Sequence, residues 1–235
     1  MQLFYNQNID ATTEMFTFDK EESKHIIKVL RKKGGDKLFV TNGLGYLFTT
    51  EIILGSETKC SVKIVSVTKQ DEPKVKLHLA VAPTKLNDRF EWFLEKATEI
   101  GIHEITPLIC DHSERKYIKS ERFDKIILSA IKQSAQVFLP KLNEPTSFKD
   151  FIATKFESQC FIAHCEDSKK NSLKYSLVPN QSATIIIGPE GDFSAKEINL
   201  ALENKFIPVT LGTTRLRTET AAVVACHSFV YANEN

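Results

Sequence analysis

A chain of 235 residues with 42% hydrophobic content is long enough for one large domain, or for a small domain beside a medium one, and can bury substantial cores. Its 31 Lys and Arg face 30 Asp and Glu, a net charge of +1; no global field pulls in nucleic acid, and any such role rests on local patches. The five cysteines are scattered without a CxxC pair, no apolar signal core opens the chain, and no run reaches the length of a membrane span. These features predict a reducing, cytoplasmic setting and no membrane. Cys110 with His112, and His164 with Cys165, lack the paired spacing and carboxylate cluster of a zinc site, so no metal is expected.

Residues 1–70 read as short strands around one helix, a small barrel. Asp19 and Glu22 form a capping-box pattern, Ile26, Ile27, Val29 and Leu30 supply a buried face, and Gly34-Gly35-Asp36 stops the helix. Strands follow at 38–40, 46–53 and 60–67, with turns at Asn42-Gly43 and Gly55-Ser56. Lys24, His25, Lys28, Arg31, Lys32, Lys33 and Lys37 crowd this stretch with only Asp36 opposing, and Arg115, Lys116, Lys119, Arg122 and Lys125 form a second basic run. Either run alone reads as a solvated face, but two in a neutral chain point to a polyanion.

The polar stretch from Lys69 to Lys74 is the candidate linker to a second domain over 74–235. There strands at 75–82, 105–109, 160–164, 184–187 and 207–211 alternate with helical patterns. The first helix starts at Asp88 and Glu91 and ends at Gly101, the next runs from Arg122 to Leu139, another follows Ser194, and the last begins near Thr218. This alternation predicts an α/β domain with a mostly parallel sheet covered on both faces.

Two glycine-bearing loops carry the chemistry. Ile187-Gly188-Pro189-Glu190-Gly191 leaves a β-branched strand and opens a helix at the Ser194/Glu197 capping box; Leu211-Gly212 runs through Leu216-Arg217-Thr218-Glu219 into the last helix. A strand that stops at glycine before a helix exposes backbone N–H groups, which can hold a polar small molecule by main chain. The segments contain no GxxxxGK[ST], no GxGxxG and no GxSxG, which excludes triphosphate, dinucleotide and serine-hydrolase readings.

These loops resemble those of the bacterial RsmE family. So do His25 to Arg31 with Gly35-Asp36, Lys85, Lys96 to Gly101, Pro107-Leu108 and Ser113-Glu114-Arg115, so that the resemblance spans nearly the whole chain. The family belongs to the SPOUT superfamily and methylates N3 of a uridine in 16S ribosomal RNA with S-adenosylmethionine. The resemblance implies an N-terminal PUA-like β-barrel, a C-terminal SPOUT α/β domain with a deep trefoil knot, and a homodimer acting on 16S rRNA or the small ribosomal subunit. It further implies a cofactor site at Ala163, His164, Ile187, Gly188, Glu190, Gly191, Leu211, Gly212, Leu216, Arg217 and Thr218, and RNA contacts at Arg31, Lys32, Lys33, Lys85 and Arg115. The chain departs from the commoner family pattern at Asp192, where glycine is usual, at Gln136, and at Thr214-Arg215.

Arg217 and Glu190 are the expected catalytic residues. N3 of uracil must lose its proton for the lone pair to attack, and a cation near O2 or O4 favours the resulting charge, the role assigned to Arg217. Glu190 orients the substrate or accepts a proton, or else holds its loop by accepting backbone N–H groups. Glu219 reads as a helix-dipole partner or an orienter of Arg217, and His164 as structural, so no residue stands out as a general base. Competing readings are a ribose 2′-O-methyltransferase sharing the loop logic and a non-catalytic RNA-binding assembly factor.

Overall fold

The computed structural model describes residues 2–116, 118 and 120–234. Two compact units emerge: one runs to Glu72 and adds Ile131–Leu139, the other comprises Pro73–Ala130 and Pro140–Asn235. Lys119 of the second basic run lies outside the described residues.

The first unit holds β1 (Leu3–Tyr5), β2 (Met15–Thr17), α1 (Lys20–Lys24), β3 (Lys37–Thr41), β4 (Tyr46–Ser56) and β5 (Lys59–Lys69). Its sheet has the order β1-β3-β4-β5-β2, with β1 and β3 parallel and the other pairs antiparallel. Phe4, Ile26, Val40, Phe48 and Val62 bury their side chains in its core. The hairpin turn falls at Glu57-Thr58, two residues beyond the expected Gly55-Ser56, because Ser56 still pairs with Lys59 and its hydroxyl accepts the Lys59 N–H. The helix is also shorter than its pattern suggests. Asp19 caps it through the Glu22 N–H at 2.8 Å, the coil widens to a π-helical turn over His25–Val29, and Arg31 enters the left-handed region at φ 56°.

The second unit contains β6 (Leu77–Val81), α2 (Asn87–Ile100), β7 (Glu104–Ile109), the start of α3 (Ser120–Ser134), β8 (Lys141–Leu142), β9 (Thr146–Ser147), α4 (Phe148–Ile152) and β10 (Gln159–Ala163). β11 (Asn171–Ser172), α5 (Leu173–Ser176), β12 (Ala183–Ile187), α6 (Ala195–Glu203), β13 (Ile207–Thr210) and α7 (Thr218–Asn233) complete it. The sheet order is β11-β13-β10-β12-β6-β7-β8, with β9 also on β7, and every pairing is parallel. Both faces are covered: Leu79, Ile185 and Phe161 pack with Phe93 of α2 and Ala222 of α7, whereas Ala80, Ile186 and Ile162 pack with Phe151 of α4 and Ile198 of α6.

In the second unit the helix boundaries differ from the sequence reading. Asp88 does not cap α2, which begins one residue earlier after an extended Leu86; its carboxylate accepts the Arg89 N–H, and Glu91 pairs with Arg122. α3 stops at Ser134 rather than Leu139 because Ala135 adopts φ 58°, and Val137 to Leu139 instead bond the 43–45 turn of the first unit.

Candidate functional site

Both glycine loops sit at the C-terminal ends of parallel strands, β12 and β13, which flank β10 in the sheet, where an open α/β sheet exposes main chain. β12 stops at Ile187, and the Asp192 N–H bonds Pro189 O at 2.9 Å to close the turn before α6. The Ser194 hydroxyl and the Glu197 carboxylate complete a capping box. Segment 111–112 braces this loop: the Glu197 carboxylate takes the Asp111 N–H, the Ser194 hydroxyl donates to Asp111, and His112 Nδ1 lies 3.1 Å from Gly191 O. After β13, Thr210 bonds Gly212, which holds φ 148°, and the chain returns through Arg215 to Arg217, the extended residue before α7.

The two loops are bonded to each other. Thr218 Oγ1 donates to Gly188 O at 3.1 Å, and both residues are buried. A cavity of about 300 Å³ lies between them, lined by Ala163, Ile187, Gly188, Glu190, Leu216, Arg217 and Thr218, together with Cys165, Pro189, Asp192, Arg215 and Ala221. Gly188 has a steric reason to lack a side chain: a Cβ there would lie 3.1 Å from the Phe193 ring.

His164, Gly191, Leu211 and Gly212, all expected in the pocket, do not line it. Side chains alternate along the extended end of β10, so Ala163 and Cys165 face the cavity and His164 turns the other way. His164 is buried, with Lys170 Nζ 3.5 Å from Nδ1; burial first, and Lys170 second, hold its pKa below the usual value. Leu211 packs on the core, Gly191 sits against His112, and Gly212 shapes the loop through its backbone angle.

Asp192 explains its own departure from glycine. It holds φ 62°, a region that Asp tolerates, while its carboxylate accepts the Cys165 N–H at 2.7 Å and the Phe193 N–H at 2.9 Å. Glu190 accepts the Lys85 N–H at 3.0 Å, the loop-holding arrangement, and Lys85 Nζ pairs with Glu114 at 2.8 Å.

Arg215, Leu216 and Arg217 also form one wall of a second, more open cleft of about 650 Å³, whose other residues are Asp88, Arg89, Trp92, Glu219 and Thr220. Glu219 lies in the first turn of α7, in line with the helix-dipole reading, and its ion pair, at 3.9 Å, is with Arg89 Nε rather than with Arg217. In the first unit, Arg31 and Lys33 are exposed and Lys32 is half-buried. Asp36 is spent on the Lys33 backbone N–H, while Arg115 of the second unit is half-buried.

The comparisons with known proteins cover both units. Residues 71–230 match the family model of an RNA methyltransferase domain, and residues 18–65 that of an RNA methyltransferase PUA domain. A ribosomal RNA small subunit methyltransferase E of Buchnera aphidicola from Acyrthosiphon pisum is 31% identical, covering 92% of this chain and 88% of its own. Its Bacillus subtilis counterpart is 28% identical over 93% of this chain and 91% of its own. Among solved structures, a "probable rRNA-methyltransferase" from Porphyromonas gingivalis superposes with TM-score 0.89 at 36% identity, covering 96% of this chain and 95% of its own. A Legionella pneumophila methyltransferase solved with bound SAM gives TM-score 0.87 at 31% identity, over 98% and 97% of the two chains. With a domain model over most of its length and full-length relatives of one name, the chain belongs to the ribosomal RNA small subunit methyltransferase E family.

Proposed function

We propose that this chain transfers a methyl group from S-adenosylmethionine to N3 of a uridine in 16S ribosomal RNA. The observation that carries the reading is the cavity at the Thr218–Gly188 bond, built from the two loops that leave β12 and β13. The residues fit such a donor. Ala163, Ile187, Leu216 and Ala221 offer apolar surface to an adenine, and main chain at Gly188 and Pro189 lies open to polar edges. The carboxylates of Glu190 and Asp192 set negative charge beside a cationic sulfonium.

When bound, the donor supplies an electrophilic methyl; the protein's part is to hold both reactants and to tolerate charge on uracil. Arg217 borders both the cavity and the open cleft, so its guanidinium can serve the junction of donor and base. Glu190, tied to Lys85, is better suited to fixing the loop than to moving a proton. The target base must leave its stack to enter, which single-stranded or looped RNA makes less costly.

In this reading residues 1–70 form the RNA-gripping PUA-like domain, with phosphates met by Arg31, Lys32 and Lys33, and 74–235 form the catalytic domain, with Lys85 and Arg115 near the substrate. The proposal includes a trefoil knot in the catalytic domain, a homodimer and a cytoplasmic setting. Calorimetry with S-adenosylmethionine tests the donor site: micromolar binding lost in a folded Gly188→Val protein supports it, and unchanged affinity in that variant refutes it.

A further inference from the structure

The open cleft beside the donor cavity contains an unspent acceptor. Glu219 is 7% exposed at the start of α7, and its Oε2 has no hydrogen-bond partner among the described residues. Its other oxygen, Oε1, lies 3.9 Å from Arg89 Nε, too far for a hydrogen bond. A carboxylate oxygen buried without a donor is destabilising, so a lone acceptor on a residue that lines a cleft is a place where a ligand N–H belongs.

The groups around that acceptor have a readable pattern. Arg89 lies on one side of the cleft, Arg215 and Arg217 belong to the loop wall, and Trp92, 43% exposed on α2, adds an aromatic face. Donors that share a cleft with a single acceptor can complement a base edge that reads acceptor, N–H donor, acceptor. Uracil presents this edge as O4, N3–H and O2. Cytosine presents a lone pair at N3 and would face the carboxylate with like polarity. An exposed tryptophan gives a flat base a stacking surface.

We propose that this cleft seats the target uracil, with Glu219 Oε2 accepting the N3–H and Trp92 stacking against the ring. The assignment rests on the methyl-transfer reading above and deepens it by naming the proton acceptor. The shared wall at Arg215, Leu216 and Arg217 joins the cleft to the donor cavity. The balance is complete: the N3–H bond gives its proton to Glu219, the N3–CH3 bond forms from the freed pair, and the S–CH3 bond breaks with its electrons returning to sulfur. The products are N3-methyluridine, the neutral thioether and a protonated Glu219, which then loses its proton to solvent. Glu219 is therefore a catalytic residue in this scheme, and Trp92 a positioning residue.

Trp92 is the single tryptophan of the chain, so its emission reports on the cleft without interference. The full-length protein, without methyl donor, is titrated with single-stranded oligouridylate, with oligocytidylate, and with oligouridylate methylated at every N3. Oligouridylate is expected to quench Trp92, and the two analogues to bind at least tenfold more weakly. Glu219→Gln keeps the shape and an acceptor oxygen but is a far weaker proton acceptor, so it should retain quenching and lose methylation of small-subunit RNA by 100-fold or more at saturating donor. Glu219→Ala should lose the preference for uridine over its N3-methylated form. Equal quenching by all three oligonucleotides, no quenching by any, or wild-type methylation by Glu219→Gln overturns the assignment. If those results appear while the wild type still forms N3-methyluridine, the cleft assignment alone falls; if the wild type forms none, both readings fall.

Discussion

Thr218 Oγ1 donates a 3.1 Å hydrogen bond to the carbonyl of Gly188, thirty residues earlier, and so ties the first turn of α7 to the end of β12. That single bond fixes the spacing of two loops whose main chain walls the cavity. Thr218→Val removes the hydroxyl at nearly constant volume and leaves a buried carbonyl unpaired, at a cost of about 1–3 kcal/mol. The expected outcome is a folded protein whose S-adenosylmethionine affinity falls about tenfold or more by calorimetry, with little change in RNA affinity.

Gly212 tests the loop from its other end. Its φ of 148° is rarely adopted by L side chains, while a Cβ there would meet nothing within 4 Å. Gly212→Val should therefore act through backbone strain of about 1–3 kcal/mol rather than by filling the cavity. Donor affinity should drop while the thermal transition of the protein shifts only slightly; calorimetry and a melt on the same sample check both.

Arg217→Lys keeps charge at the junction of cavity and cleft but loses the planar, forked donor. A preorganised donor of this kind is worth 10²- to 10³-fold, about 3 to 4 kcal/mol of barrier. Single-turnover methylation at saturating donor and RNA should fall by that factor with RNA binding retained. A rate near wild type would reduce Arg217 to loop architecture.

Much of this arrangement is legible in the sequence, for physical reasons. Long periodic segments such as α2 and the apolar runs of β10 and β12 declare themselves, and the Ser194/Glu197 box fixes the start of α6. β8, β9, β11, α4 and α5 are two to five residues long, too short for any period to show, and they exist because the sheet is there to receive them. Glycines mark the loops, yet Cys165 and Asp192 enter the cavity only through a tertiary bond between them, which no local pattern encodes. The same holds for the pairing of Glu219 with Arg89 across two helices.

Acid should destabilise the second unit before its carboxylates titrate. His78, His103 and His164 all have pKa values below the usual 6.5, with burial the leading cause in each; charge at Lys141, Lys76 and Lys170 respectively adds to it, while Glu104 partly offsets it at His78, and Asp192 and Glu166 do so at His164. Each imidazole is harder to protonate folded than unfolded, so the unfolded chain binds protons first on acidification. The stability they support is full above about 6.5 and is lost as pH falls through the lower folded values. Denaturant titrations from pH 7.5 to 5.5 should show falling unfolding free energy, with a shallower slope in His78→Gln.

RNA affinity should follow the local patch rather than the net charge of +1. Replacing Arg31, Lys32 and Lys33 by alanine should weaken RNA binding and flatten its salt dependence, each lost phosphate contact lowering the slope by about 0.7 to 0.9. Donor affinity should stay unchanged. An unaltered slope in filter binding at several salt concentrations would make the cluster a solvated face.

The central claim is tested most directly by nucleoside mass spectrometry. Unmodified 16S RNA, or small subunits carrying it, is incubated with purified protein and S-adenosylmethionine, digested to nucleosides and compared with a control lacking enzyme. The account predicts N3-methyluridine as the new species, abolished by Gly188→Val; 2′-O-methyluridine instead, or no methylated nucleoside from a folded, donor-binding protein, would contradict it.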